Sequence, residues 1–246
     1  TTQTELEPKQ PRFDSLDLQE NLAQIKQIIE GDLSHHDSTV IEVFDRHPEW
    51  KNALVVIDWT ASMYRQGALL IAWQQDHRHE NRIRHFVFFN DGDGKFDDEK
   101  IVGSTGGVYE TPADTLPKML PAIEGVTMGG EGGDHRENDL EALLQGISSC
   151  PDCNQVILIA DNTGPIRDLS LLNQVDVPVK ILLCRSYKDV IEPDYLTVAD
   201  YTKGSLHTKT RDLENIEAMM EKGVLKLGEE EYDKPYGRFR KHKPRL

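Results

Sequence analysis

The sequence predicts an α/β fold: a doubly wound, mostly parallel central sheet flanked by helices in three layers. Three observations carry this expectation. Apolar runs rich in β-branched residues, such as Ala53-Leu-Val-Val-Ile57 and Val156-Ile-Leu-Ile-Ala160, have the length and composition of strands buried on both faces. The segments between them show helical spacing, as in Leu140, Leu143, Leu144 and Ile147. Both runs also stop abruptly at an acid, Asp58 and Asp161, which places polar groups beyond the carboxyl ends of strands, where open α/β sheets bind ligands.

In chain order, residues 1–16 carry Pro8, Pro11 and scattered charge without a period, and read as a flexible tail. Residues 17–50 form a helical N-terminal extension: Leu18, Leu22, Ile25, Ile28 and Ile29 keep helical spacing. A second short pattern through Val40, Ile41 and Phe44 ends at His47-Pro48. The α/β domain spans 51–228. Its first strand is followed by a helix from about Tyr64 to His79, then a strand over His85–Asn90 and an acidic turn, Asn90-Asp91-Gly-Asp93-Gly-Lys-Phe-Asp97. Counted as a calcium loop, this turn puts Lys95 and Val102 where oxygen ligands are required, so it reads as a strand-end turn. An edge strand is expected within Lys100–Tyr109, a helix from Thr111-Pro112 to about Gly125, and a helix over Glu137–Ile147 started by Asn138 and Asp139. After the strand ending at Asp161 come a short helix through Leu169 and Leu172, a strand over Val179–Cys184, a helix near Leu196–Tyr201, and a last helix over Asp212–Lys222. His207 is expected to be a hydrogen-bonded structural histidine. The basic tail, 229–246, reads as a solvated end, or as a segment folded back on the acidic domain.

Composition narrows the function. The 246 residues, 37% of them hydrophobic, suffice for one sizeable domain. A formal charge of −15, from 43 acids against 28 Lys and Arg, opposes a nucleic-acid binder, because phosphate contacts need a basic face. No run of about 18 apolar residues exists, so no membrane span is expected. The polar N-terminus places any export leader outside this chain. Among the three cysteines, Cys184 lies in an apolar run. Cys150-Pro-Asp-Cys153 fits a local disulfide or plain thiols better than zinc, which needs two further ligands.

The chemistry concentrates in Asp58-Trp-Thr60-Ala-Ser62, one carboxylate and two hydroxyls at every second position past a strand. Oxygen-only donors suit a hard cation, magnesium or calcium, rather than zinc. This stretch resembles the metal-ion-dependent adhesion site (MIDAS) of the von Willebrand factor type A (vWA) domain family, which begins with Asp-x-Ser-x-Ser. Two later stretches match in order: the glycine-rich Gly129-Gly-Glu-Gly-Gly-Asp134-His-Arg-Glu137, and Val156-Ile-Leu-Ile-Ala-Asp161. Asp134 stands where the family has threonine. The resemblance covers about residues 50 to 220 and implies a Rossmann-like fold. It further implies a magnesium site, with manganese or calcium as substitutes, built from Asp58, Thr60, Ser62, Asp134 and Asp161. By the same token the function is metal-dependent protein binding of the adhesion type, the partner presenting a carboxylate, with no catalysis. Asn90-Asp91-Gly-Asp93 and Thr105-Gly-Gly-Val-Tyr109 are similar to a bacterial branch of that family that is mostly exported, which implies a periplasmic or secreted setting.

Two rival classes remain. Asp58-x-Thr60-x-Ser62 also resembles the nucleophile loop of the haloacid-dehalogenase-like phosphotransferases, and Gly133-Asp134-His-Arg-Glu-Asn138-Asp139 resembles their later acidic motif. Asp58 would then attack phosphorus in a magnesium-dependent phosphohydrolase. That second motif has one residue too many and follows a glycine loop rather than a strand. An RNA-associated protein is the third class, opposed by the acidic charge.

Overall fold

The computed structural model describes residues 13–31, 37–130, 132–133 and 135–242. The tail expected over 1–16 therefore lies largely outside the described residues, and so does Asp134. Seven strands form one sheet: β1 (Ala53–Asp58), β2 (Ile83–Phe89), β3 (Val108–Pro112), β4 (Gln155–Asp161), β5 (Val179–Cys184), β6 (Ser205–His207) and β7 (Asp212–Leu213). They lie in the order β3-β2-β1-β4-β5-β6-β7. The pairs β1–β2, β1–β4, β4–β5 and β5–β6 are parallel, whereas β3 and β7 join antiparallel at the two edges. The chain runs outward from β1 to β3 and then returns to lay β4 on the other side of β1. The order thus reverses between β1 and β4, the place where doubly wound sheets open a crevice.

Period-two alternation of side chains makes the three layers. Leu54 and Val56 of β1 with Leu158 of β4 face one core, shared with Leu140, Leu143, Tyr195 and Leu196. Val55, Ile57, Ile157 and Ile159 face the other, with Leu70, Met119 and Ile123. Accordingly α3 (Tyr64–Asp76) and α4 (Leu116–Gly129) cover one face, and α5 (Asp139–Ser149) and α6 (Pro193–Tyr201) the other. The N-terminal helices α1 (Ser15–Ile29) and α2 (Thr39–Arg46) belong to the α3 side. Ile25, Val40, Val43 and Phe44 are buried in its core, so the extension is part of the sandwich rather than a cover over an edge. No helix among the described residues is long and apolar enough to cross a membrane.

The structure departs from the sequence reading in two places, and at the C-terminus it takes the folded-back alternative. The edge strand runs to Pro112, so the next helix starts at Leu116 with Pro117 in its first turn and continues past Gly125 to Gly129. The expected helix over Asp212–Lys222 is replaced by β7 and a single turn, Glu217–Met219. Its apolar residues Leu213, from the strand, and Ile216, from the start of the turn, pack into the α5/α6 core. The C-terminal segment folds back: β8 (Val224–Leu227), β9 (Glu230–Asp233) and β10 (Arg240–Lys241) form a three-stranded antiparallel sheet. Arg240 pairs with Asp233 and Lys234 with Asp200, while Tyr232 and Phe239 are buried. Cys150 and Cys153 form a disulfide just before β4, and Cys184 is buried and free.

Arg82 ties the extension to the sheet. Its side chain is buried, its guanidinium donates to the carbonyls of Phe44, His47 and Trp50, and it lies over the Trp73 ring at 4.9 Å. Removing it takes the side-chain donor from the Trp50 carbonyl and one of two donors from the Phe44 and His47 carbonyls, which also accept from the N–H groups of His47 and Trp50. A buried group left unpaired costs about 1–3 kcal/mol, so Arg82→Met should lower the unfolding free energy by about that amount in urea titration. A loss under about 1 kcal/mol would show that the Trp50 carbonyl finds another donor.

Candidate metal centre

β1 and β4 run side by side in register, with Ile57 opposite Ile159, so their acidic ends, Asp58 and Asp161, emerge on neighbouring strands. Asp58 is fully buried; its Oδ1 accepts a 2.8 Å hydrogen bond from the Thr60 backbone N–H and its Oδ2 has no hydrogen-bond partner. Asp161 is 5% exposed; its Oδ2 accepts from Arg185 at 3.1 Å and its Oδ1 has no partner. The chain then turns tightly into α3, with the Thr60 carbonyl accepting from the N–H groups of Met63 and Tyr64. That turn leaves Thr60 buried and Ser62 exposed on the rim.

Above these residues opens a cleft of about 680 Å³, lined by Thr60, Ser62, Gly133, His135, Glu137, Thr163 and Arg185, among others. The glycine loop closes one side. At Gly132, with φ +85°, a β-carbon would lie 2.9 Å from the Thr60 methyl, so this approach needs a residue without a side chain. Thr60 and Ser62 line this cleft, whereas Asp58 and Asp161 are buried at the adjoining strand ends and are not among its lining residues. Asp134 is outside the described residues.

Two residues that sequence reasoning left out of the site belong to its surroundings. Glu137 lines the cleft with a buried, partnerless Oε2. It sits in the quoted glycine-rich stretch, but its helical context led to a structural assignment. Arg185, in left-handed backbone at φ 57° just after β5, gave no sequence signal beyond its position at a strand end. Asn138 and Asp139 do not cap α5 with their side chains. Asp168 does, accepting from the backbone N–H groups of Leu140 and Glu141, while Asn138 donates to the Gly106 carbonyl. The acidic turn after β2 is neutralised internally, since buried Asp91 pairs with Lys100 and with Arg167.

Electrostatically the site is a set of carboxylates that burial and one another hold toward the neutral form. Burial, opposed by its bonds from Thr60 and reinforced by Asp161 and Asp91, pushes Asp58 up to about 7. Glu137 is raised well above the usual carboxylate range by burial and then by Asp58, Asp91 and Asp139. Asp139 is raised by burial and by Asp168 and Asp58. Bare buried acceptors beside like charges fit a cation. The acids do not form a closed cage: among the described residues, no three carboxylate oxygens of this cleft lie within 4.8 Å of one another. An ion here would use hydroxyl oxygens and bridging waters between itself and the acids, as magnesium does. His47, His207 and Glu214 do meet that distance, elsewhere in the fold.

The chain matches no family model, and comparisons with curated proteins and with solved structures find no match.

The sign of the pH response follows from Asp58. The folded protein retains its proton up to about pH 7, whereas the unfolded chain releases it near pH 4, so this contribution to stability is lost as pH rises through that window. Asp168, raised to about 6 mainly by burial, acts in the same direction. Metal-stripped protein should therefore melt at progressively lower temperature from about pH 4.5 to pH 7.5. Asp58→Asn should flatten that slope, and a wild-type slope of opposite sign would refute the assignment.

Proposed function

We propose that the chain is a metal-dependent protein-binding module of the vWA kind, with an adhesion-type site at the carboxyl edge of the sheet. The observation that carries this reading is a pair of buried oxygens without hydrogen-bond partners among the described residues, Asp58 Oδ2 and Asp161 Oδ1, on adjoining strand ends, with Thr60 and Ser62 following Asp58 into the cleft. Ser62 and Thr60 would hold magnesium, or manganese or calcium in its place, with Asp58, Asp161 and Asp134 acting directly or through its waters. The bound ion supplies a Lewis-acidic position for a carboxylate of a protein partner. The protein's own contribution is to fix the oxygens on rigid strand ends and to keep the surrounding acids ionised once the cation is present. The Cys150–Cys153 disulfide suits an oxidising compartment and so favours a periplasmic or secreted setting.

Phosphoryl transfer has weaker support. Asp58 is fully buried, where an attacking carboxylate must be reached by phosphorus. Asp139 is buried with its Oδ1 3.4 Å from the Tyr195 hydroxyl rather than among the residues lining the cleft.

The test is thermal melting with and without magnesium or manganese after chelation. Binding to the folded state alone adds about 2.7 kcal/mol at a hundredfold excess over Kd, a rise of several degrees. Asp58→Asn should raise the stability of the metal-free protein near neutral pH while abolishing the magnesium response, and Ser62→Ala should weaken that response alone. A melting temperature indifferent to both cations would defeat the proposal.

A further inference from the structure

Away from the acidic cleft, His47 follows α2, His207 ends β6 and Glu214 follows β7. One ligand atom of each lies within 4.8 Å of the other two. The donor set is chemically unlike the cleft, with two imidazoles and one carboxylate in place of oxygens alone.

His47 is only 8% exposed, and its Nε2 has no hydrogen-bond partner. Its Nδ1 lies 2.8 Å from Glu49 Oε1, a contact that requires the ring proton on Nδ1. Its Nε2 faces Asp212 Oδ1 at 3.2 Å, so the ring lies between two carboxylates, and a cation shared there, a ring proton or a metal ion, is what joins nitrogen to oxygen on that side. Asp212 Oδ1 already accepts from Arg46 at 2.7 Å and lies 2.8 Å from His207 Nδ1, while His207 Nε2 meets Ser205 Oγ at 2.7 Å. Each histidine thus has a carboxylate on its Nδ1, Glu49 for His47 and Asp212 for His207, the arrangement that habitually orients imidazoles that bind metal through Nε2. The His47 ring is further fixed by stacking on Trp50, centroids 4.4 Å apart.

We propose that His47, His207 and Glu214 form a second metal site, for a zinc-class transition ion, independent of the acidic cleft. Two nitrogens and one oxygen suit zinc at about 2.0–2.2 Å and leave a fourth position for water. Ligands of one such ion stand no more than about 4.4 Å apart, so the three side chains draw slightly together and His207 exchanges one of its two hydrogen bonds for the metal. Glu214 is exposed, so the group reaches the surface. The ion would clasp α2 and the β6–β7 edge, segments joined otherwise by Arg46 and Asp212.

The test uses the full chain, stripped with chelator and then saturated with magnesium so that oxygen sites are filled. Zinc titrated calorimetrically should bind at one per chain and raise the melting temperature. Cobalt in its place should give the visible absorption of a low-coordinate nitrogen and oxygen site. His47→Gln and Glu214→Gln should each weaken zinc at least tenfold, and Glu214, being exposed, keeps that variant folded whatever becomes of the buried histidine. The proposal is overturned if no zinc binds, if magnesium competes the zinc away, or if zinc affinity survives Glu214→Gln unchanged.

Discussion

Burial of like-charged groups where β1 and β4 part is the constraint on which the rest of the site depends. Asp58 and Asp139 are fully buried and Glu137 has a buried Oε2; Asp58 raises the proton affinity of both others, and Asp139 that of Glu137. Two unit charges about 5 Å apart repel by about 3 kcal/mol at an effective dielectric of 20. Several such pairs are comparable to a domain's whole stability of about 5–15 kcal/mol. The fold must therefore supply protons or cations. Asp91 has buried Lys100 and Arg167, and one oxygen of Asp161 has Arg185. Asp58 Oδ2 and Glu137 Oε2 have no hydrogen-bonded cation among the described residues, so in the metal-free protein protons compensate them. Placing these groups at the crossover between the two central strands makes the conflict hard to relax by moving backbone, because both strands are hydrogen-bonded on each side.

The same strands explain why that geometry is rigid. A slip of one residue would turn Leu54 and Val56 into the wrong core and Val55 and Ile57 into the other, so the two apolar faces fix the register, and with it the height at which Asp58 emerges. Trp59 adds a local lock, donating from its indole to Thr127 and filling the space over Gly67, where a β-carbon would lie 2.2 Å from its ring. The loop bearing Thr60 and Ser62 is thereby tied to both α3 and α4. Packing on one face thus sets the position of the polar groups at its rim.

The strands and the switch point were legible in the sequence because buried parallel strands leave continuous β-branched runs with polar stops, as Ala53–Asp58 and Gln155–Asp161 do. The course after Arg211 was not, since Leu213 and Ile216 keep helical spacing yet pack from a short strand and a single turn, and the small C-terminal sheet repeats no pattern long enough to announce itself. At the candidate site, Asp58, Thr60, Ser62 and Asp161 were legible as polar residues at strand ends, the first three at and beyond the end of β1 and the last ending β4. Glu137, Arg185 and the cap Asp168 could not, because their roles depend on which chain lies opposite. His207 was legible as a hydrogen-bonded residue, and it bonds Ser205 and Asp212. Its neighbour His47, 160 positions earlier, had no local sign of meeting it.

Arg185 decides how readily a cation can enter the cleft. Its guanidinium occupies one oxygen of Asp161 from the solvent side, with the side chain 41% exposed, so the pair is screened and contributes about 1 kcal/mol or less. Displacing it costs little, and the displaced arginine remains on the cleft wall as a positive group beside the rim. Were the proposed divalent ion to bind, it would replace that single weak contact with charge compensation for Asp58 and Glu137 as well, which the arginine does not reach among the described bonds. Arg185 would then stand on the cleft wall, placed to meet an acid of the proposed partner.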